Sequence, residues 1–414
     1  KYIPVINPGM LAFKPEARET WDDALSKLKK YISGELKSVK IDESKFYGIT
    51  DTAEALAWVK AARASNSPKV AVDTETTGLY PRDGYILGIS MAVEDETAVY
   101  ISTDCIDEEI VDEMQSMFRE KGVIMHNAKF DLAMLEYHFN FEFPNIDDTM
   151  LMSYMLNEVP GNHGLKQLAI KHTPYGDYEK PMYDFIDDYC RRNGFLKGDF
   201  TWDMIPFDLI QVYAAMDACV TYRIYQVFEA ELNKDPQIRR VYKNLLIPAM
   251  NFLKDVQDTG VPFDRKRLEI SQNLMEQDIQ LAIEKLEKHQ EVRNFQEFQG
   301  KDFNPNSTLQ LRKLLFDFIG LKPTGKKTGT GAHSTDAEVL QELGEQHEVP
   351  TLILDIRQKS KIKNTYLDKI IPQLDRDSHL RTNFNLHGTT SGRLSSSGKL
   401  NMQQIPRDNP IVKG

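Results

Sequence analysis

The sequence predicts an α/β domain built on a mixed sheet, then a mainly helical region, then a short extended end. Three observations carry that expectation. Short apolar runs bounded by turn residues are interleaved with helical periodicity up to about Leu232. After Asp235-Pro236 the pattern shifts to amphipathic runs with apolar residues at intervals of three and four. From about residue 380 the chain turns Gly- and Ser-rich, with Gly388-Thr389-Thr390-Ser391-Gly392 and Ser395-Ser396-Ser397-Gly398.

Residues 1–44 contain early prolines and an amphipathic, Lys-rich stretch from about Thr20 to Tyr31, which reads as an ordered extension. Asp51 to Ala64 reads as a helix and Val70-Ala71-Val72 as a short buried strand. Tyr85–Val93 and Thr97–Ser102 read as strands joined by an acidic turn, Asp107–Glu120 as a helix, and Gly122–Met125 as a strand. Helices dominate from there to Leu232. Beyond the shift, two long runs are expected at about 240–258 and 266–292, and Thr335-Asp336-Ala337-Glu338 has the form of a capping box. The expected divisions are 1–44, 45–235, 236–375 and 376–414.

The 414 residues are 41% hydrophobic and 27% charged, the balance of a folded protein rather than a disordered one. No run of about 18 uncharged apolar residues exists, so a helical membrane span is not expected. Cys105, Cys190 and Cys219 lack the spacing of a disulfide framework or a zinc knuckle, which makes a reducing cytoplasm the expected compartment. Net charge is −11, but residues 355–414 hold eleven Lys+Arg against five Asp+Glu and so carry +6, leaving −17 on the rest. An acidic body with a basic end suits a chain that holds metal in one place and phosphate in another.

The candidate chemistry is a set of separated acids. Asp73-Thr74-Glu75 closes the strand at Val70–Val72, and residues two apart on a strand share a face, so the two carboxylates converge. Hard anionic oxygens in that arrangement make half of a Mg²⁺ or Mn²⁺ site. Asn127 suits a helix N-cap, and Asp131 follows one turn into that helix. Tyr213 and Asp217 lie four apart on one helix face, and Asp217 sits among Val212, Ala214, Ala215, Met216, Ala218, Cys219 and Val220. Buried there, it needs a metal or a hydrogen bond to compensate its charge. Taken singly, each piece also fits an ordinary surface acid. His163, His172 and His387 are scattered and read as structural, and Lys327 stands where a phosphate loop needs Ser or Thr.

In order, Asp-x-Glu, Asn-x-x-x-Asp and Tyr-x-x-x-Asp resemble the three exonuclease motifs of the DEDD proofreading superfamily. The tyrosine marks its tyrosine subclass, since the histidine subclass would place His where Val212 stands. The resemblance implies a ribonuclease-H-like sheet and hydrolysis of 3′-terminal nucleotides with two divalent cations, Mg²⁺ or Mn²⁺. By carry-over Asp73 bridges both ions, Glu75 and Asp217 complete the first site, and Asp131 holds the second. Tyr213 would orient the attacking water, with Asn127 and Lys129 near the DNA. Asp148 and Gly164-Leu165-Lys166-Gln167-Leu168-Ala169 also recur in the superfamily and read as structural.

Further along, Lys361-Ile362-Lys363, Thr390-Ser391-Gly392-Arg393-Leu394 and Asn401-Met402-Gln403-Gln404 combine cations and amides suited to phosphates and groove edges. Their order resembles the thumb and early palm of family A DNA polymerases of the T-five-like phage replicative branch, from about residue 5 onward. The resemblance implies that residues 236–375 are thumb and linker, and that 376–414 begin an α+β palm. It also implies that Lys361 and Lys363 touch the duplex backbone, that Arg393 reaches the minor groove at the primer end, and that Asn401 and Gln404 support the primer-template. The family's palm carboxylates and fingers helix would come after Gly414, and its relatives begin earlier than Lys1. Primer extension is therefore expected to need a palm-fingers fragment as partner. A free-standing DEDD exonuclease with an accessory nucleic-acid-binding arm is the second reading, and a catalytically silent primer-template clamp a third. The host cytoplasm is the expected location for a phage enzyme.

Overall fold

The structure is a computed structural model, and it describes residues 7–13, 18–33, 42–176, 178–398 and 401–404. The side chain of Gln404 and everything from Ile405 on lie outside the described residues. Two compact units emerge: Lys1–Val256 with Asn385–Ser395, and Gln257–Phe384 with Ser396–Gly414.

In the first unit, helix α1 (Arg18–Ile32) covers the expected amphipathic stretch. A six-stranded mixed sheet follows, built from β1 (Phe46–Ile49), β2 (Lys69–Thr76), β3 (Ile86–Glu94), β4 (Thr97–Ser102), β5 (Gly122–Met125) and β6 (Ile146–Asp148). Its order is β1-β4-β3-β2-β5-β6. β2 runs antiparallel to β3, with Asp73 opposite Ser90, and parallel to β5 on its other side. That placement puts β2 in the centre of the sheet, where strand direction changes. β5 is buried at all four positions, which explains its unbroken apolar sequence.

Helices α2 (Thr52–Ala64) and α3 (Glu108–Glu120) pack together, and Arg63 of α2 pairs with Glu113 of α3 at 2.9 Å and with Glu120. Asp51 and Asp107 cap them by accepting from the N–H of Glu54 and Ile110. The remaining helices are α4 (Ala128–Phe139), α5 (Thr149–Leu156), α6 (Leu165–His172), α7 (Lys180–Asn193), α8 (Phe207–Leu232), α9 (Pro236–Val241) and α10 (Ile247–Thr259). α8 is apolar on most sides because it lies against the sheet, burying Ile210, Ala214, Ala218 and Ile224. The approach is close: a Cβ on Gly48 of β1 would stand 2.5 Å from the Phe207 ring, so only glycine fits there.

Asp147 on β6 is fully buried and accepts from Lys69 at 2.7 Å, from Tyr242 at 3.0 Å and from Lys243. Tyr242 opens a π-helical turn (Tyr242–Leu246) between α9 and α10. The expected helix at 240–258 is thus interrupted at the point where its tyrosine reaches the sheet edge.

The second unit is mainly helical, with α11 (Arg265–Glu287), α12 (Gln290–Gln299), α13 (Thr308–Arg312), α14 (Ala337–Leu343), α15 (Glu348–Ile362) and α16 (Asp368–Ile370). One core gathers Leu286, Phe295, Leu311, Leu340 and Ile353, and another gathers Leu268, Met275, Tyr366 and Leu367. The run expected at 266–292 breaks after Glu287, and α12 starts behind an N-cap at His289. The cap of α14 is Asp336, which accepts from the N–H of Val339 at 3.0 Å, rather than the expected Thr335. Val261–Pro262 pairs antiparallel with His379–Leu380.

Candidate active site

Alternation along β2 directs Asp73 and Glu75 to the same side of the sheet. Asp217 arrives there from α8, and oxygens of these three carboxylates lie within 4.8 Å of one another. Thr74, between the two acids of β2, reaches the helix that carries the fourth. Its N–H and hydroxyl donate to Oδ1 of Asp131 at 3.1 and 2.7 Å. Asp131 is 2% exposed, and its charge acts on both Asp73 and Glu75.

Burial of so many like charges sets the electrostatics. Desolvation, followed by the neighbouring carboxylates, raises Asp73 and Glu75 well above the usual carboxylate range. Desolvation pushes Asp131 up to about 7 against the hydrogen bonds from Thr74. Asp217 is also pushed up to about 7 by desolvation, opposed by the hydroxyls of Tyr178 and Tyr213. Tyr178 donates to Oδ1 of Asp217, and its ring stacks on Tyr213 with centroids 6.2 Å apart. A converging set of hard oxygen donors in mutual repulsion fits a divalent cation, which would let all of them ionise together.

Asn127 stands at the start of α4 in the left-handed region, φ 62°, and its side chain makes no capping bond. The cap comes instead from Asp148, whose carboxylate accepts from the N–H of Asn127 at 3.2 Å and of Ala128 at 3.0 Å. The same carboxylate caps α5 through the N–H of Met150 at 2.8 Å. One buried side chain therefore orients both helices, which agrees with its structural reading. Burial lowers Lys129 to about 8, with Asp148 opposing. His163 accompanies His387, ring centroids 6.1 Å apart.

Of the other residues singled out for nucleic acid, Lys361, Lys363 and Asn401 belong to the second unit and Arg393 to the first. Lys361 is exposed on α15, whereas Lys363 is held by Glu276 and Asp368, each at 3.0 Å. Asn401 accepts from the N–H of Gln403 at 2.9 Å. Arg393 is exposed, and its carbonyl accepts from the Thr389 hydroxyl at 2.8 Å. Elsewhere His289, Glu291 and His347 also come close together. There Nδ1 of His347 accepts from the N–H of Val349 at 3.2 Å, which puts its proton on Nε2, facing Glu291 at 4.0 Å. With Nδ1 occupied and Nε2 protonated, that ring offers no free lone pair to a cation.

Four features of the cluster have no signal in sequence spacing: the Thr74 tether, Tyr178 on Asp217, the Asp147–Tyr242 anchor, and Lys166 paired with Glu179. Tyr178 belongs to no regular element, so periodicity has nothing to say of it.

Residues 46–233 match the protein family described as "3'-5' exonuclease", and residues 271–413 match "DNA polymerase family A". The chain is 42% identical over 421 residues to the DNA polymerase of Escherichia phage T5, across 100% of this chain and 49% of that relative. It is 30% identical over 402 residues to DNA polymerase I of Rhizobium leguminosarum, across 89% of this chain and 37% of the relative. It thus spans about half the length, or less, of these curated relatives. The solved "POL domain of Pol1 from M. smegmatis complex with DNA primer-template and dNTP" aligns with a TM-score of 0.66 over 89% of this chain and 57% of that one. At 21% identity this likeness shows the fold alone. Fold and matches together define an enzyme class, polymerases that carry a 3′–5′ exonuclease domain. The chain belongs to the family A DNA polymerases of that class.

Proposed function

We propose that this chain removes 3′-terminal nucleotides from DNA by metal-dependent hydrolysis, as the proofreading part of a DNA polymerase. The observation that carries the reading is the meeting of Asp73, Glu75 and Asp217, with Asp131 tethered to the intervening Thr74. Asp73, Glu75 and Asp217 would hold one Mg²⁺ or Mn²⁺, and Asp73 with Asp131 a second. When bound, such ions lower the pKa of water and neutralise charge on the leaving oxygen. The chain's own residues do the rest. Tyr213, one turn before Asp217, orients the attacking water, and Tyr178 holds the Asp217 carboxylate in place. Lys129 and Asn127 face the DNA strand.

For the domains we propose exonuclease over 45–235, helical thumb and linker over 236–375, and the start of a palm from 376. Primer-template would be contacted by Lys361, Lys363, Arg393, Asn401 and Gln404, with Lys363 first released from its acidic partners. The match of 271–413 to the polymerase family favours this over a free-standing exonuclease. The phage relative suggests the host cytoplasm as the place of action.

The test is digestion of a 5′-labelled single-stranded oligonucleotide with Mg²⁺. A ladder of products shortened from the 3′ end is expected, and Asp73→Ala with Glu75→Ala should abolish it while the fold melts normally. Undiminished digestion by that double variant would reject the assignment.

A further inference from the structure

Asp131 differs from the other three carboxylates in how it is placed. Asp73 and Glu75 belong to the central strand β2 and Asp217 to the buried helix α8, whereas Asp131 is delivered by α4. The entry of α4 is fixed by Asp148, whose carboxylate accepts from the N–H of Asn127 and of Ala128. Asp131 lies one turn further on, so a displacement of Asp148 moves it with the helix.

β6, which ends at Asp148, is a poor anchor by itself. It has three residues, lies at the edge of the sheet and pairs with β5 alone. An edge strand leaves backbone donors unsatisfied on its outer side. Here the N–H of Asp148 is taken not by a strand but by the Tyr242 hydroxyl, at 2.9 Å, and that hydroxyl donates to Oδ1 of Asp147 at 3.0 Å. A phenol has one hydrogen, so the relay has one direction, from the Asp148 N–H through Tyr242 to the Asp147 carboxylate. An ionised acceptor at its end strengthens both bonds.

Asp147 is itself immobilised, by Lys69 at 2.7 Å and by Lys243. Lys69 opens β2 and crosses β5 at Gly122, where a Cβ would overlap its Nζ. The relay therefore ends on the strand that bears Asp73 and Glu75. At its middle, Tyr242 is fully buried and opens a π-helical turn, an uncommon backbone form found frequently at functional sites.

We propose that the Tyr242 hydroxyl is a positioning group for the nuclease: through Asp148 it sets where α4 begins, and so holds Asp131 where the second divalent cation is bound. This rests on the exonuclease reading above. The tyrosine touches neither substrate nor cation. Outer partners of this kind act on metal affinity, typically by about tenfold or more.

The test is a Mn²⁺ titration followed by electron paramagnetic resonance, with thymidine 5′-monophosphate, a product of the proposed hydrolysis, present. The unaltered chain should bind two ions, and Asp131→Asn should lose the second. Tyr242→Phe should weaken that second ion about tenfold and leave the first unchanged, and in the Asp131→Asn background it should change nothing further. Hydrolysis by Tyr242→Phe should need correspondingly more Mn²⁺ for its half-maximal rate, with KM for a short oligothymidylate unchanged at saturating metal. A role in stability alone predicts a lower melting temperature with both affinities intact. That result, or equal weakening of both ions, overturns the proposal. Should Tyr242→Phe fail to fold, Lys243→Met, which loosens the Asp147 acceptor from a partly exposed position, decides: a second ion bound as tightly as in the unaltered chain overturns the proposal. If instead Asp131→Asn binds both ions as before, the nuclease reading fails, so the two failures are distinct.

Discussion

Thr74 donates twice to a single oxygen of Asp131, from its backbone N–H at 3.1 Å and from its hydroxyl at 2.7 Å. The residue that separates Asp73 from Glu75 on β2 therefore also fixes the acid delivered by α4. Thr74→Val keeps shape and β propensity but deletes the hydroxyl bond. A buried hydrogen bond to a carboxylate contributes about 1.5–3 kcal/mol. Thr74→Val is expected to lower thermal stability and to cut nuclease kcat about tenfold at saturating Mg²⁺. Stopped-flow hydrolysis and a melting curve check it.

Asp148 should matter nearly as much without touching substrate. It caps α4 and α5 at once, and its own N–H donates to the hydroxyl of Tyr242 at 2.9 Å. Asp148→Ala uncaps two helices, a loss of about 2 kcal/mol at about 1 kcal/mol per cap. Urea unfolding should register that loss, while Asp148→Ser, which retains a short acceptor, should recover part of it.

The two tyrosines at Asp217 should separate by pH. Removing a donor to the charged form makes a carboxylate harder to ionise. Tyr178→Phe is therefore expected to shift the acid limb of the rate profile toward higher pH, with activity largely recovered above pH 8. Tyr213→Phe, which removes the group proposed to orient water, should remain slow throughout. A rate–pH profile for each variant distinguishes them.

Metal-free stability has a defined sign. Asp131 and Asp217 titrate near 7 in the folded chain, above their ordinary 3.8, because burial disfavours their charge. The folded state then binds more protons than the unfolded one between those values. Stability contributed by these groups is present at low pH and is lost as pH rises toward and through about 7. In EDTA the melting temperature should fall between pH 5 and pH 8. Asp73→Asn with Glu75→Gln should flatten that fall by removing two of the charges, and Mg²⁺ or Mn²⁺ should reverse it in the unaltered chain alone.

Much of this site was legible in the sequence, because two of its pieces obey simple periods. Two-residue spacing on a strand joins Asp73 to Glu75, and four-residue spacing on a helix joins Tyr213 to Asp217. β1 and β6, at four and three residues, are too short for alternation to reveal and lie at the sheet edges. Asn127 occupies the cap position, yet its left-handed backbone hands the capping bond to Asp148, and only the β5–β6 pairing brings that carboxylate near. Tyr178 and Glu179, the partner of Lys166, lie on irregular chain between α6 and α7, whose course no local pattern encodes.

The central claim is tested most directly by a crystal of the chain grown with Mn²⁺ and a short single strand, with anomalous scattering measured at the manganese edge. Two peaks are expected among the carboxylates of Asp73, Glu75, Asp131 and Asp217, beside the 3′-terminal phosphate. Manganese bound elsewhere, or a 3′ end seated away from those four side chains, would contradict it.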